Sequence, residues 1–521
     1  KKINCNDLVT KVCKENKLNE EQSSAIDRCL KFPITMIHGP PGTGKTKTGA
    51  AIFQVAFFVC LGVVKFEKKK KNKKTTGDNT SNYTLMNKIF ACAHTHHACD
   101  QLLEYLDKLQ LPQDIFEITR VGPVHKLNRN ILRYSLDYKM SKEWEKTKMG
   151  RGQKKPDAMW KKEFTAKILT KSSVIVGTCY AATHLLGHEF DVIIMDEVTQ
   201  IYEPLSLLAI NLLGTLDKKN SSGLGQKHLI LIGDPMQLQP IVKSSKHKME
   251  NSYFSLFENL VYSGITNVDV NNEHYSKKKE IKYKAHFALS LPNYVLLKTQ
   301  YRMRPCLSAF SNAIFYSSLL KNDPSVIDDD NPKYQQIASI LNQLETNFSL
   351  VNNHKYEVMK FDSILLISCN QSEMESNEMH GIDSTRTSKY NICETQVIAD
   401  HILPLVFNSG VQNDDIGIIT PYRAQVRALK IAIEHSTQND WVHVGTVDSF
   451  QGKEKDLIIL SLVISENGLN LFSTNFIDHS RRMNVSLTRA KYGLIVVSNR
   501  DTLTSCTLWK QWLAQYNFLK R

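Results

Sequence analysis

Short apolar runs recur along the chain, and between them apolar residues fall at the three-and-four spacing of helices. Ile34-Thr35-Met36-Ile37, Lys88-Ile89-Phe90-Ala91-Cys92-Ala93, Val174-Ile175-Val176, Val192-Ile193-Ile194-Met195 and His228-Leu229-Ile230-Leu231-Ile232 predict buried strands in the first part. Ile364 to Ile367, Ile416 to Ile419, Leu457 to Val463 and Leu494 to Val497 do so in the second. Helices are predicted from Asn19 to Leu30, from Thr48 to Val55 and from Ala98 onward. Strands that are apolar on both faces, alternating with helices, indicate an α/β architecture built on parallel sheets. A polar, lysine-rich stretch from about Val268 to Ser290 separates the two groups of strands, so the expected domains are residues 1–292 and 293–521. The polar stretches 65–85, 268–290 and 325–360 read as loops or variable helices.

Chemistry enters just after the first strand. Gly39-Pro40-Pro41-Gly42-Thr43-Gly44-Lys45-Thr46 fits GxxxxGK[ST], with a strand before it and a helix behind it, the context a phosphate-binding loop requires. Glycines let the backbone curl with its N–H groups inward, the helix adds its positive end, and Lys45 brings a mobile charge to the outer phosphates. Asp196 and Glu197 close a later apolar strand, at the end where a parallel sheet places its ligands. Asp196 is suited to hold Mg²⁺ together with the Thr46 hydroxyl, and Glu197 to orient or deprotonate an attacking water. Gly233-Asp234 end the next strand, and Gln237 follows as a candidate contact to the γ-phosphate or the water. The second domain has no phosphate loop of its own. Such a domain serves a phosphoryl-transfer site by supplying arginines; Arg302 and Arg489 are singled out, their selection resting on the motif resemblance given below.

The 521 residues carry a formal charge of +14, and its distribution narrows the partners. Six lysines lie between Lys68 and Lys74 in a low-complexity stretch that reads as a solvated loop. Residues 126–163 add twelve basic against five acidic side chains, interleaved with Tyr134, Tyr138, Trp144 and Trp160. Phosphate attraction and base stacking are therefore both available there, and an exposed helical insert with neither role is the plainer alternative. No apolar run reaches the ~18 residues of a bilayer span, and the basic start leads into polar sequence rather than a signal-peptide core, so a soluble protein is expected. Eleven cysteines with no CxxC pair point to reduced thiols and an intracellular protein of nucleus or cytoplasm. Cys92, His94, His96, His97 and Cys99 lack the spacing of a structural zinc site.

Seven stretches in order now carry a resemblance. They are Leu18-Asn19-Glu20-Glu21-Gln22, the phosphate loop, Asp196-Glu197-Val198-Thr199-Gln200, Gly233-Asp234-Pro235-Met236-Gln237-Leu238-Gln239-Pro240, Gln300-Tyr301-Arg302-Met303, Gly445-Thr446-Val447-Asp448-Ser449-Phe450-Gln451-Gly452-Lys453-Glu454 and Arg482-Met483-Asn484-Val485-Ser486-Leu487-Thr488-Arg489-Ala490. Together they resemble the superfamily 1B helicases of the up-frameshift type, the group of the nonsense-mediated-decay helicase, senataxin and the immunoglobulin-mu-binding helicase. The resemblance implies two RecA-like α/β domains of the P-loop NTPase class, a helical basic insert on the first at about 125–172, ATP and Mg²⁺ in the cleft, and single-stranded RNA or DNA across the top. It implies that Gln22 reads adenine, Tyr301 stacks on it and Glu454 holds the ribose. Strand contacts would fall on His94, Thr95, Thr178, Thr420, Pro421, Tyr422, Arg423 and Thr446.

The implied activity is ATP-dependent movement 5′ to 3′ on a single strand, RNA favoured, by a monomer open to protein regulators. A DNA helicase of repair or replication, and an ATP-gated clamp or remodelling factor without strong unwinding, are the alternatives. His94-Thr95-His96 stands where the family usually has Pro-Ser-Asn. The chain opens shortly before Gln22, which leaves no room for the small β-rich domain that many relatives place upstream, by loss or by truncation. No zinc-binding regulatory domain is visible in the sequence either.

Overall fold

In the computed structural model the described residues are 5–56, 88–108, 117–124, 127, 129–151, 157–214, 227–241, 255–266, 291–350, 356–369, 374–376, 388–437, 442–465 and 477–519. They divide into two units. One comprises Lys1–Pro40, Gly44–Pro235 and Gln239–Leu297, the other Lys298–Arg521 with the short segments Pro41–Thr43 and Met236–Leu238. The stretches 65–85 and 268–290 lie outside the described residues.

The first unit is built on seven strands: β1 (Ile34–His38), β2 (Ile89–Ala93), β3 (Ile118–Val121), β4 (Val174–Thr178), β5 (Val192–Asp196), β6 (His228–Gly233) and β7 (Tyr294–Leu296). They pair in the order β3-β4-β2-β5-β6-β1-β7, all parallel. Every residue of β2 and β5 is buried, which is why these strands read as unbroken apolar runs rather than as alternation. The helix Glu20–Lys31 starts at an Asn19 cap and buries Gln22, Ala25, Ile26 and Cys29, one stripe at helical spacing. A second helix covers residues 45–56, directly behind the phosphate loop, and a third runs from His96 to Lys108. Between β3 and β4 the chain makes a short 3₁₀ turn and two helices, Leu136–Arg151 and Ala158–Lys171.

The second unit opens with a two-stranded pair, β8 (Thr299–Gln300) and β9 (Lys321–Asn322). Its main sheet takes β10 (Tyr356–Phe361), β11 (Ile364–Cys369), β14 (Ile416–Thr420), β15 (His443–Thr446), β16 (Lys455–Ser461) and β17 (Ala490–Ser498) in the order β10-β11-β17-β16-β14-β15. A small hairpin of β12 (Met374–Ser376) and β13 (Ser388–Tyr390) stands apart from it. Only β10 runs antiparallel in the main sheet.

Two sequence expectations need correction in this unit. The stretch 325–360 contains the helix Pro332–Leu350, which buries Ile337, Ile340, Leu341, Leu344 and Phe348 against the sheet core, and then strand β10. It is core rather than insertion; many polar residues on the outer face hid a regular inner stripe. The run Leu457 to Val463 ends as a strand at Ser461, because Val463 leaves extended geometry altogether with φ of 75°. Strand β15 was masked in the sequence by His443 and Gly445, which break its apolar run. Among the described residues no helix is long and apolar enough to cross a membrane.

Candidate nucleotide and nucleic-acid sites

The phosphate loop takes its shape from Gly42 and Gly44, with φ of 75° and 78°. Glycine accepts these angles without strain. At Gly44 a Cβ would also lie 2.7 Å from Gln22 Nε2, so that side chain would have to shift. Gln22 is fixed in that place by a capping box: its backbone N–H donates to Asn19 Oδ1 (2.8 Å), and its Oε1 accepts from the Asn19 N–H (3.2 Å). Its amide nitrogen is left facing the loop. Lys45 curls back so that Nζ donates to the Gly39 carbonyl at 2.6 Å, and Thr48 Oγ1 donates to Gly44 O at 2.9 Å.

Under the loop lies a buried chain that the sequence did not announce. His38, the last residue of β1, has Nδ1 2.6 Å from Tyr294 Oη and Nε2 3.0 Å from Asp234 Oδ1. All three residues are buried, so the ends of β1, β6 and β7 are tied by side chains in addition to the ladder. Their separation in sequence, with a single histidine between two apolar strand residues and a glycine, gave no signal.

Asp196 ends β5 and is buried. Burial first, and then the neighbouring Glu197, push its carboxyl up to about 7, with Lys45 pulling the other way. Its Oδ1 accepts from the Glu197 N–H at 2.9 Å. Glu197 adopts φ 49°, ψ 38°, a left-handed conformation uncommon for a residue with a side chain, and its Oε2 accepts from Gln200 Nε2 at 3.1 Å. Backbone strain at such a place is characteristic of functional sites. A buried carboxyl raised this far gains from a cation, and carboxylate plus the Thr46 hydroxyl is the hard-oxygen donor set that suits Mg²⁺.

Strand register places the candidates of the first unit along one edge. Ala93 lies opposite both Thr178 and Asp196, Met195 opposite Leu231, and His38 opposite Gly233. Reading across, the edge carries Thr178, then His94 and Thr95, then Asp196, then Gly233 with Asp234, then the phosphate loop. The residues expected to touch a strand occupy one half and those expected to serve hydrolysis the other, meeting at β2 and β5. His94 and Thr95 are exposed. The helix behind them is anchored by buried Arg120, whose Nε donates to Asp100 Oδ1 and whose Nη2 lies 3.0 Å from His96 Nδ1. A guanidinium only donates, so this nitrogen of His96 accepts.

In the helical pair after β3, aromatic rings pack on one another. Trp144 and Trp160 meet edge to face at 4.9 Å, and Trp160 stacks on Phe164 at 4.2 Å. These rings join the two helices to each other, while Tyr134 hydrogen-bonds Asp107. Lys139 is partly buried, its Nζ donating to Ile118 O at 2.7 Å and lying 3.2 Å from Glu117 Oε1, whereas Arg129, Arg133, Lys142, Lys146, Lys161 and Lys162 are exposed.

The second unit gathers its arginines at the start of its strands. Arg302 Nε donates to Glu454 Oε2 at 2.5 Å and Nη1 to Thr488 O at 3.2 Å. Lys491 Nζ lies 3.3 Å from the other Glu454 oxygen, a neighbour that its position two residues after Arg489 could have suggested. Burial pushes the Glu454 carboxyl up, but Arg302 and Lys491 outweigh it and hold the group below the usual carboxylate value. Arg489 is fully buried: Nε donates to Val485 O, and Nη2 to Thr488 Oγ1 with Gln237 Oε1 3.5 Å away. Tyr301 is exposed. At the opposite ends of the strands stand Thr420, closing β14 and leading into Pro421, Tyr422 and Arg423, and Thr446, closing β15. Arg423 is exposed at the start of the helix Arg423–Thr437.

Comparison with known proteins finds likenesses over most of the chain. Two family models, each described as an AAA domain, match residues 17–163 with 151–245, and residues 273–501. The ATP-dependent helicase upf1 of Schizosaccharomyces pombe is 27% identical over 95% of this chain and 46% of its own length. DNA polymerase alpha-associated DNA helicase A of Saccharomyces cerevisiae is 28% identical over 95% of this chain and 67% of its own length. The chain thus spans less than half the length of some of the curated relatives it matches. A solved arterivirus nonstructural protein 10 (helicase) with DNA aligns with 93% of this chain and 65% of its own at 12% identity, with a TM-score of 0.35. That likeness is too slight to add to the topology.

Proposed function

The chain belongs to the up-frameshift-type group of superfamily 1 helicases, and from that premise we propose that it is an ATP-driven translocase and helicase moving 5′ to 3′ on single-stranded nucleic acid, RNA favoured. The observation that carries this reading is the single edge of the first sheet. Thr178, His94 and Thr95 there adjoin Asp196, Gly233 and the phosphate loop through consecutive strand pairs. A strand lying on the first half of such an edge abuts the strand ends that bear the hydrolytic groups, so binding and hydrolysis are coupled through two or three residues.

In this reading residues 1–292 hold the nucleotide and residues 293–521 complete the reaction. Backbone N–H groups of Gly39 to Thr46 bind the phosphates, Gln22 and Tyr301 hold the base, and Glu454 the ribose. Thr46 and Asp196 hold Mg²⁺, which when bound neutralises developing phosphate charge. Lys45 leaves the Gly39 carbonyl for the outer phosphates. Glu197 accepts a proton from the attacking water, Gln237 orients it, and Arg302 and Arg489 stabilise the transferring group. Arg302 must part from Glu454 to do so. Thr420, Pro421, Tyr422, Arg423 and Thr446 grip the strand's backbone, which positions it without reading its sequence.

The test is ATP turnover with and without single-stranded RNA and DNA of one sequence, followed by displacement from duplexes with 5′ or 3′ overhangs. Stimulation by RNA above DNA and displacement only from the 5′ overhang are expected. Equal or greater stimulation by DNA supports the second reading, a DNA helicase, which the likeness to helicase A favours. Stimulation without displacement would make it a clamp. Lys45→Ala should abolish turnover, whereas Glu197→Gln should abolish turnover and keep ATP binding.

A further inference from the structure

The end of β16 holds a strained turn inside a buried polar network, next to the proposed strand-gripping turn of the second unit. Val463 has φ of 75°, and the Ile464 N–H donates to Leu462 O at 2.9 Å across it. This is a γ-turn of the rare, positive-φ form, and a β-branched residue is the least suited to it. Such geometry persists only where its surroundings over-determine it. Here two side chains from one helical start do so. Val463 N–H donates to both carboxylate oxygens of Glu394 at 3.0 Å, and Val463 O accepts from Asn391 Nδ2 at 3.1 Å. Both Asn391 and Glu394 are fully buried.

The clamp extends to the neighbouring strand. Ser461 Oγ donates to Glu394 Oε2 at 2.6 Å and accepts from Gln425 Nε2 at 2.9 Å, while Gln425 Oε1 accepts from the Asn391 N–H at 2.8 Å. Ser461 and Thr420 close adjacent parallel strands, Ile419 lying opposite Leu460. Gln425 sits two residues beyond Arg423, in the first turn of its helix. Thr420 Oγ1, in the same corner, is buried with no hydrogen-bond partner among the described residues. Two unfavourable features, a strained valine and an orphaned hydroxyl, therefore meet where the chain turns through Thr420 to Arg423.

We propose that Glu394 is a positioning residue for strand binding: with Asn391 it holds Val463 in the strained turn and, through Ser461 and Gln425, fixes the Thr420–Arg423 turn in advance of the strand. The inference rests on the nucleic-acid reading given above. The Val463 N–H and the Ser461 hydroxyl both donate to the Glu394 oxygens, so the site suits a carboxylate, and its work is to reduce the ordering that strand binding would otherwise require.

The experiment measures ATP turnover against single-strand concentration. Glu394→Ala should raise the strand concentration for half-maximal stimulation by about tenfold, the scale of a buried donor left without an acceptor. Turnover at saturating strand should stay within about twofold, because the hydrolytic groups are elsewhere. Glu394→Gln, which keeps one acceptor for Val463, should fall between. Glycine takes φ of 75° freely, so adding Val463→Gly to Glu394→Ala should recover most of the lost affinity, which a purely structural role for Glu394 would not allow. If Glu394→Ala does not fold, Ser461→Ala cuts the same relay while leaving the clamp, and a rise of about threefold is expected. Unchanged half-maximal concentrations in all variants, or losses in which saturating turnover falls equally and glycine gives no recovery, overturn the proposal. A wild-type protein that no single strand stimulates overturns the nucleic-acid reading itself, whereas a stimulated wild type with indifferent variants overturns only this inference.

Discussion

The two units share a parallel-sheet design and use it differently. In the first, every candidate residue borne by a strand end lies at the carboxyl end of the sheet, from Thr178 on β4 to the loop after β1. In the second the candidates divide between opposite ends. Glu454 and Arg489 stand just before the first residues of β16 and β17, where Lys455 lies opposite Ala490, while Thr420 and Thr446 close β14 and β15. The carboxyl end of a parallel sheet is a binding edge by default, because helix N-termini and loops converge there. The opposite end has no such default, so its arginines have to be held by specific partners. They are: Arg302 by Glu454 and Thr488, Arg489 by Val485 and Thr488.

The sharpest way to break this division is at Arg489. If the amino end of the second sheet serves chemistry and the carboxyl end serves grip, Arg489→Lys should lower turnover by about 10³-fold or more with strand affinity little changed. A lysine keeps the charge but cannot make the three-way contacts of the buried guanidinium. Thr446→Ala should do the reverse. Turnover and strand affinity measured on both variants decide it, and parallel losses in both would erase the distinction.

That asymmetry also explains what could be read in advance. The phosphate loop, Asp196-Glu197 and Gly233-Asp234 were legible because each follows an apolar strand, and local pattern plus the binding-edge rule suffices to find them. Arg302 and Arg489 follow no such rule, and they were reached only through the resemblance of whole motifs. The helix Pro332–Leu350 stays open between loop and variable helix in the sequence because its inner stripe is diluted by Gln, Asn and Ser on the outer face. His38 with Asp234 and Tyr294, and Glu394 with Val463, were invisible since their partners lie more than sixty residues apart. A hydrogen bond between distant residues leaves no periodicity behind.

The candidate acids Asp196 and Glu454 are displaced in opposite directions, and pH separates them. Asp196 is pushed up to about 7, so in protein free of nucleotide and divalent metal its contribution is fully present below pH ~4 and is lost as pH rises through 7. Asp196→Asn should therefore gain stability over wild type as pH rises, by on the order of 4 kcal/mol at pH 8. Glu454 is held low by Arg302 and Lys491, so its contribution is present above pH ~4.3 and lost as pH falls. Glu454→Gln should be the less stable protein at neutral pH and converge on wild type in acid. Chemical denaturation at pH 4, 6 and 8 measures both, and slopes of the same sign would show that the two edges are electrostatically alike.

The smallest effect concerns the proposed gripping edge alone. Arg423 is exposed at the start of its helix and pairs with no acidic side chain in any ion pair among the described residues, so its charge is free to meet a phosphate. One phosphate contact contributes one released counterion, and on a single strand each contributes roughly 0.7 to the slope of log affinity against log salt. Arg423→Ala should thus weaken binding only a few-fold at physiological salt and reduce that slope by about 0.7. Clamp failure by Glu394→Ala should weaken binding more while leaving the slope in place, because it removes order and no charge. Titrations of both variants at several salt concentrations separate the two contributions, and a slope that falls in Glu394→Ala would mean that the buried carboxylate acts on the strand through charge after all.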